Sequence, residues 1–113
     1  MRDDLTRISD ILEAIHHIER YQPADFDEFL ENELIQVWFI HYIQEIGEAS
    51  AGVSSEFRKR NQSIPWRQIV DMRNLLVHQY FGVDLYELWN AVVYDIPSLK
   101  KEIEGILSDE QQS

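Results

Sequence analysis

The chain contains no cysteine, which excludes disulfide staples and thiolate metal sites and fits a reducing compartment such as the cytoplasm. It has no long hydrophobic run. Its apolar stretches are broken by polar residues well short of the roughly 20 that a bilayer-spanning helix needs, so no membrane segment is expected. The start, Met1-Arg2-Asp3-Asp4, is charged and leads into no apolar segment, so nothing there reads as a secretion signal. Gly-rich phosphate loops, nucleophile elbows and dinucleotide fingerprints are absent. Basic residues are scarce, with 10 Lys and Arg against 21 Asp and Glu and a net charge of −11. That balance weighs against broad, tight nucleic-acid binding, which is largely electrostatic.

What is present describes a folded helical domain. At 113 residues the chain is one domain, and 44% hydrophobic and 12% aromatic content exclude a mainly disordered chain. Leu5, Ile8, Ile11, Leu12, Ile15 and Ile18 recur at helical steps and predict a first helix over about 3–21. Gln22-Pro23 breaks it, and Asp25 can cap a short second helix to about Glu31. A long third helix is expected over about 33–60. Ser63 and Pro65 open a fourth that ends near Gly82, a residue suited to a helix C-terminus. Asp84 caps a fifth, and Pro97 bends or restarts the chain into a last helix through Leu107. The expectation is an all-α, small up-and-down bundle of about five to six helices over residues 1–107, with a polar tail at 108–113. Trp38, Trp66 and Trp89 fall on apolar stripes and are expected in the core.

The most informative stretch is Met72-Arg73-Asn74-Leu75-Leu76-Val77-His78-Gln79-Tyr80-Phe81. Arg73, Asn74, His78 and Tyr80 stand among mainly apolar side chains, where an unsatisfied polar group costs stability. Arg offers a permanent phosphate-binding fork, and His moves protons near neutral pH. Together they suggest chemistry on a phosphodiester. At about 100° per residue Asn74 and His78 share a face, joined by Asp71, while Arg73 and Tyr80 lie on a neighbouring stripe. Arg73 and His78 diverge by roughly 140°, so a long Arg side chain or a second protomer laid across the helix must bring them to one phosphate. The fourth helix is apolar around most of its circumference (Ile69, Val70, Met72, Leu76, Val77, Phe81), which points to burial on all sides and part of it in a dimer interface.

Charge is distributed unevenly. Residues 1–34 hold ten acids against three Arg, whereas Glu56 to Arg73 hold five basic residues and two acids. Arg58, Lys59, Arg60 and Arg67 are therefore candidate RNA contacts beside the motif. Arg58-Lys59-Arg60 also suits a solvated helix C-terminus, where cations favour the macrodipole. Gly47 lies in a small-residue patch with Ala49, Ser50, Ala51 and Gly52 that would let another helix approach closely, and Glu48 there can pair with an Arg of the fourth helix. His41, Glu45 and Glu48 have helical spacing for a metal site but lack a second motif on another helix, so no metal or other cofactor is expected. The adjacent His16 and His17 read as surface or packing residues.

Arg73-x4-His78-x-Tyr80, with Asn74 after the Arg, resembles the signature of the HEPN superfamily, and more specifically the HepT-like toxin ribonucleases. The resemblance extends to Ile46-Gly47-Glu48-Ala49, Ile64-Pro65-Trp66, Phe81-Gly82-Val83-Asp84, Trp89 and Asp95-Ile96-Pro97-Ser98-Leu99, in that order. It implies a helical homodimer whose two motifs face a shared cleft, metal-independent endoribonuclease activity, and a toxin–antitoxin pairing with a minimal nucleotidyltransferase antitoxin. That antitoxin would silence the nuclease by AMPylation, transferring AMP to Tyr80. In such a mechanism His78 is the acid/base, Arg73 holds the phosphate, Asn74 orients His78, and Tyr80 donates a hydrogen bond or stacks on a base. Two other readings are a polar network that only specifies the dimer, and a non-catalytic subunit that docks the nucleotidyltransferase through its acidic first half.

Overall fold

Apolar side chains at helical spacing, each run opened by a side-chain cap, account for the architecture. The computed structural model describes residues 3–77 and 84–112. It is all-α, with no strand among the described residues. Helix α1 (Asp4–Arg20) opens on Asp3, whose carboxylate accepts from the Thr6 N–H at 2.8 Å, and α2 (Phe26–Leu30) opens on Asp25 in the same way. The Asp25 cap is the one expected from the sequence. Helix α3 (Glu33–Ala51) lies between α1 and the motif-bearing helix α5 (Trp66–Val77).

The expected third helix does not run unbroken to Arg60. It ends at Ala51, and a separate α4 (Ser55–Arg60) follows. The cause is tertiary. Asp4 accepts from both the Ser54 N–H at 2.8 Å and the Ser54 hydroxyl at 2.6 Å. Ser54 Oγ in turn caps α4 through the Phe57 N–H. These bonds hold the Asp4 carboxyl below the usual carboxylate range. A Cβ on Gly52 would also collide with the Arg7 guanidinium, so the small residue lets α1 close over the break.

The chain's last third departs from expectation in the opposite sense. Helix α6 (Leu85–Asn90) opens on Asp84 as expected, passes into a π-helical turn (Ala91–Asp95) and continues without interruption as α7 (Ile96–Gln112). Pro97 therefore neither breaks nor restarts the helix. A proline ring clashes with the carbonyl four residues back, and the wider turn, marked by the Ile96 N–H reaching Ala91 O, provides the slack. The last helix continues to Gln112 rather than ending at Leu107. The start of the motif helix also shifts, to Trp66 rather than Ser63, with the Pro65 carbonyl taking the Ile69 N–H. Its expected end at Gly82 lies outside the described residues.

The core is continuous and largely aliphatic, with Ile8, Ile11, Ile15 and Ile18 of α1 meeting Ile43 and Ile46 of α3 and Leu99 and Ile103 of α7. An aromatic knot closes one end. Phe29 stacks on Phe39 at 5.5 Å and lies 5.3 Å from Trp89, tying α2 to α3 and α6. All three tryptophans border the core rather than filling it. Two of their indole N–H groups explain this, donating to carbonyls of His17 and Asn61 at 2.7 and 3.1 Å. His16 is exposed, and His17 stacks on Tyr42 at 4.7 Å, both consistent with packing or surface roles.

Ser50 is 1% exposed and its hydroxyl has no hydrogen-bond partner among the described residues. An unsatisfied buried hydroxyl costs about 1–3 kcal/mol, and Ala also favours a helix interior. Ser50→Ala is expected to stabilise the fold by roughly 1 kcal/mol in denaturant unfolding. A loss of stability would show that the hydroxyl is satisfied in solution.

Candidate functional site

Helix α5 carries Arg73 and Asn74, the first two residues of the motif. Ile69, Met72 and Leu76 form its buried stripe. Arg67, Val70 and Asp71 face outward, and Val70 retains 39% of its surface. The helix is therefore not enclosed on every side within one chain. Arg73 and Asn74 are half-buried on the turn after Val70. His78 and Tyr80 lie outside the described residues.

Arg73 reaches α3, and its aliphatic stem lies against Gly47. The small-residue patch thus does permit a close helix approach. No hydrogen bond or ion pair is recorded between Arg73 and Glu48 or Asp71 among the described residues. Packing against Gly47 holds its stem, and no carboxylate among the described residues pairs with its guanidinium.

The other basic candidates divide in two. Arg58 is turned into its own chain, donating to the Ser50 carbonyl at 2.6 Å with its guanidinium 5.6 Å from the Trp66 ring centre. It links the ends of α3, α4 and α5. Lys59, Arg60 and Arg67 are exposed. Arg60 also lies over the Phe57 ring at 5.8 Å.

Two concavities flank these helices. The larger, of about 490 Å³, lies between α1 and α3 and includes Arg7, Asp10, His17, His41, Glu45 and Glu48. It is on a face of α3 away from Gly47, and so away from Arg73. The smaller, of about 210 Å³, lies between α5 and the π-helical turn and is lined by Gln68, Asp71, Met72, Glu87, Ala91 and Asp95. Among the described residues no group of three or more His, Asp or Glu side chains converges with metal-holding geometry. No helix among them is long and apolar enough to cross a membrane.

The smaller cleft contains contacts that sequence reasoning missed. Gln68 Nε2 donates to Asp95 Oδ1 at 2.9 Å, fastening the motif helix to the π-helical turn. A pairing between residues so far apart in the chain leaves no local sequence signal. Burial, and then the nearby Glu87 charge, push the Asp95 carboxyl above the ordinary carboxylate range. For an acid, a raised folded-state pKa means that ionisation opposes folding, and this penalty disappears as pH falls through that pKa. Asp95→Asn keeps the Oδ1 acceptor and removes the charge. It is expected to raise Tm at pH 7, with the gain vanishing as pH is lowered past the titration of Asp95. A lower Tm at pH 7 would show that the ionised form is needed.

Comparison with known proteins agrees with the family resemblance. The sequence model for the family described as Ribonuclease HepT-like matches residues 11–106. A protein of Methanocaldococcus jannaschii with a provisional RNase name is 39% identical over 104 residues, covering 91% of this chain and 95% of the relative. The probable ribonuclease HepT of Thermococcus cleftensis is 42% identical over 100 residues, covering 88% of this chain and 91% of the relative. A provisionally named RNase of Caldanaerobacter subterraneus subsp. tengcongensis is 34% identical over 94 residues, covering 83% and 84% respectively. No solved structure matches the chain. With a family match over most of its length and relatives aligned nearly end to end, the chain belongs to the HepT-like ribonuclease family.

Proposed function

We propose that the chain is a metal-independent endoribonuclease, acting in the cytoplasm as a homodimer and forming the toxin half of a toxin–antitoxin module. The observation that carries this reading is the ribonuclease family match over residues 11–106, which includes the whole Arg73-x4-His78-x-Tyr80 motif. The half-buried Arg73, with no carboxylate partner recorded among the described residues, supports the reading, because a phosphate-binding fork must be left uncommitted.

In this reaction the substrate supplies its own nucleophile. His78 takes the proton from the ribose 2′-hydroxyl, and the freed oxygen attacks the adjacent phosphorus. The bond from phosphorus to the 5′-oxygen breaks, and that oxygen leaves with a proton from the partner's His78. Arg73 holds the phosphoryl oxygens and stabilises their added charge. Asn74, four residues before His78 in the sequence, orients its imidazole. Lys59, Arg60 and Arg67 offer a locally basic approach for the RNA backbone on an acidic protein, with Arg58 adding charge from its packed position.

Tyr80 is the point of control. AMP transferred to it by a minimal nucleotidyltransferase antitoxin adds bulk and negative charge, which exclude a polyanion by sterics and repulsion. The test is cleavage of mixed tRNA and mRNA in EDTA by protein whose Tyr80 is shown by intact mass to be free of AMP. Cutting is the expected result. No cutting, together with binding to the nucleotidyltransferase, would instead identify a non-catalytic docking subunit.

A further inference from the structure

Glycine inside a helix costs about 1 kcal/mol relative to alanine, and Gly47 is a buried residue within α3. A Cβ built there would lie 2.7 Å from Arg73 Cδ and 2.9 Å from both its Cβ and Cγ, closer than real side chains approach. These three atoms form the stem of one side chain, and Arg73 Cβ is fixed to the α5 backbone. The clash cannot be relieved by swinging the end of a flexible chain, so either the stem or the whole of α5 must move.

The other described glycines differ. At Gly52 the obstacle is the guanidinium tip of Arg7, and at Gly105 nothing lies within 4 Å. Gly47 alone among them makes room for a residue of the candidate site.

We infer that Gly47 is a positioning residue for Arg73, a seat that fixes where the guanidinium leaves the α3–α5 junction. An arginine side chain has about 2 kcal/mol of rotamer entropy. A stem already packed against a flat stretch of helix gives up much of that freedom before substrate arrives. With no carboxylate recorded to hold the guanidinium, this packing sets its position. The inference rests on the reading of Arg73 as the phosphate-holding group.

The test is a two-by-two set, Gly47→Ala and Arg73→Ala alone and combined, read by thermal unfolding and RNA cleavage, with Gly105→Ala as control. Gly47→Ala alone is expected to lower Tm by about 5–10 °C and cleavage by on the order of 10²-fold, the effect of a misplaced catalytic group. In the Arg73→Ala background, which removes two of the three clashing carbons, the Tm loss should fall to less than half. Cleavage should show no further loss there. Gly105→Ala should match the parent in activity.

An equal Tm loss in both backgrounds, or full activity of Gly47→Ala where Arg73→Ala is dead, would overturn the inference. If Gly47→Ala alone does not fold, the combined variant decides: recovery of folding supports the seat, and continued failure rejects it. Full activity of Arg73→Ala would refute the catalytic reading instead, a result the Tm comparison distinguishes from loss of the packing itself.

Discussion

Arg73→Ala is expected to lower RNA cleavage by at least about 10²-fold, the usual loss when a preorganised charge-stabilising donor is removed. Arg73→Lys should recover only part of that activity. An ammonium keeps the charge but not the planar fork that meets two phosphoryl oxygens at once. His78→Ala should abolish cleavage while leaving the proposed dimer intact by size-exclusion chromatography, because the role proposed for it is that of a proton carrier. Both variants need circular dichroism spectra beside the activity data, since the Arg73 stem also packs on Gly47. Wild-type cleavage by either variant would remove that residue from the mechanism.

The largest expected effect on stability lies at the other end of the bundle. Phe29 is 0% exposed and sits among Phe26, Phe39 and Trp89, with ring centres 6.3, 5.5 and 5.3 Å away. Phe29→Ala opens a cavity where three helices meet. It should cost about 3–5 kcal/mol, against a typical total stability of roughly 5–15 kcal/mol. A Tm drop of roughly 15 °C or more follows for a domain of this size. Leu34→Ala, at a side chain 82% exposed, should change stability by no more than about 0.5 kcal/mol. A small effect at Phe29 would mean that the short α2 is not a structural strut.

The two largest departures from the sequence reading have different physical origins, one long-range and one local. Asp25 and Asp84 mark helix starts correctly because a cap is a local interaction, completed within two or three residues. The break after Ala51 is a long-range matter. Val53 and Phe57 continue an apolar pattern across it, and it is held open by Asp4, 50 residues away in sequence from Ser54. The unbroken passage through Pro97 is likewise invisible to a rule that treats proline as a stop, because the π-helical turn accommodates the ring.

The same division applies to the site. The small residues around Gly47 signalled a close helix contact, but only the folded chain identifies Arg73 as the residue using the space. Glu48 looked like a partner for an Arg of the motif helix, yet no such pair is recorded among the described residues. Arg58 could be read as a basic surface residue, and its engagement with Ser50 and Trp66 needs three separate segments to meet. The pairing of Arg73 with His78 was legible as a motif, but spacing alone left the two side chains diverging around the helix, which is the reason for proposing a second protomer.

In the proposed mechanism RNA's own 2′-hydroxyl does the attacking, with Arg73 and His78 carrying the chemistry and Asn74 orienting His78. The most direct measurement is the end chemistry of fragments produced in EDTA by protein free of AMP, alongside a substrate carrying 2′-deoxyribose at the cleaved position. The mechanism requires 2′,3′-cyclic phosphate and 5′-hydroxyl ends, and no cutting at the deoxy position. Fragments bearing 3′-hydroxyl and 5′-phosphate ends, or cleavage at the deoxy position, would contradict it.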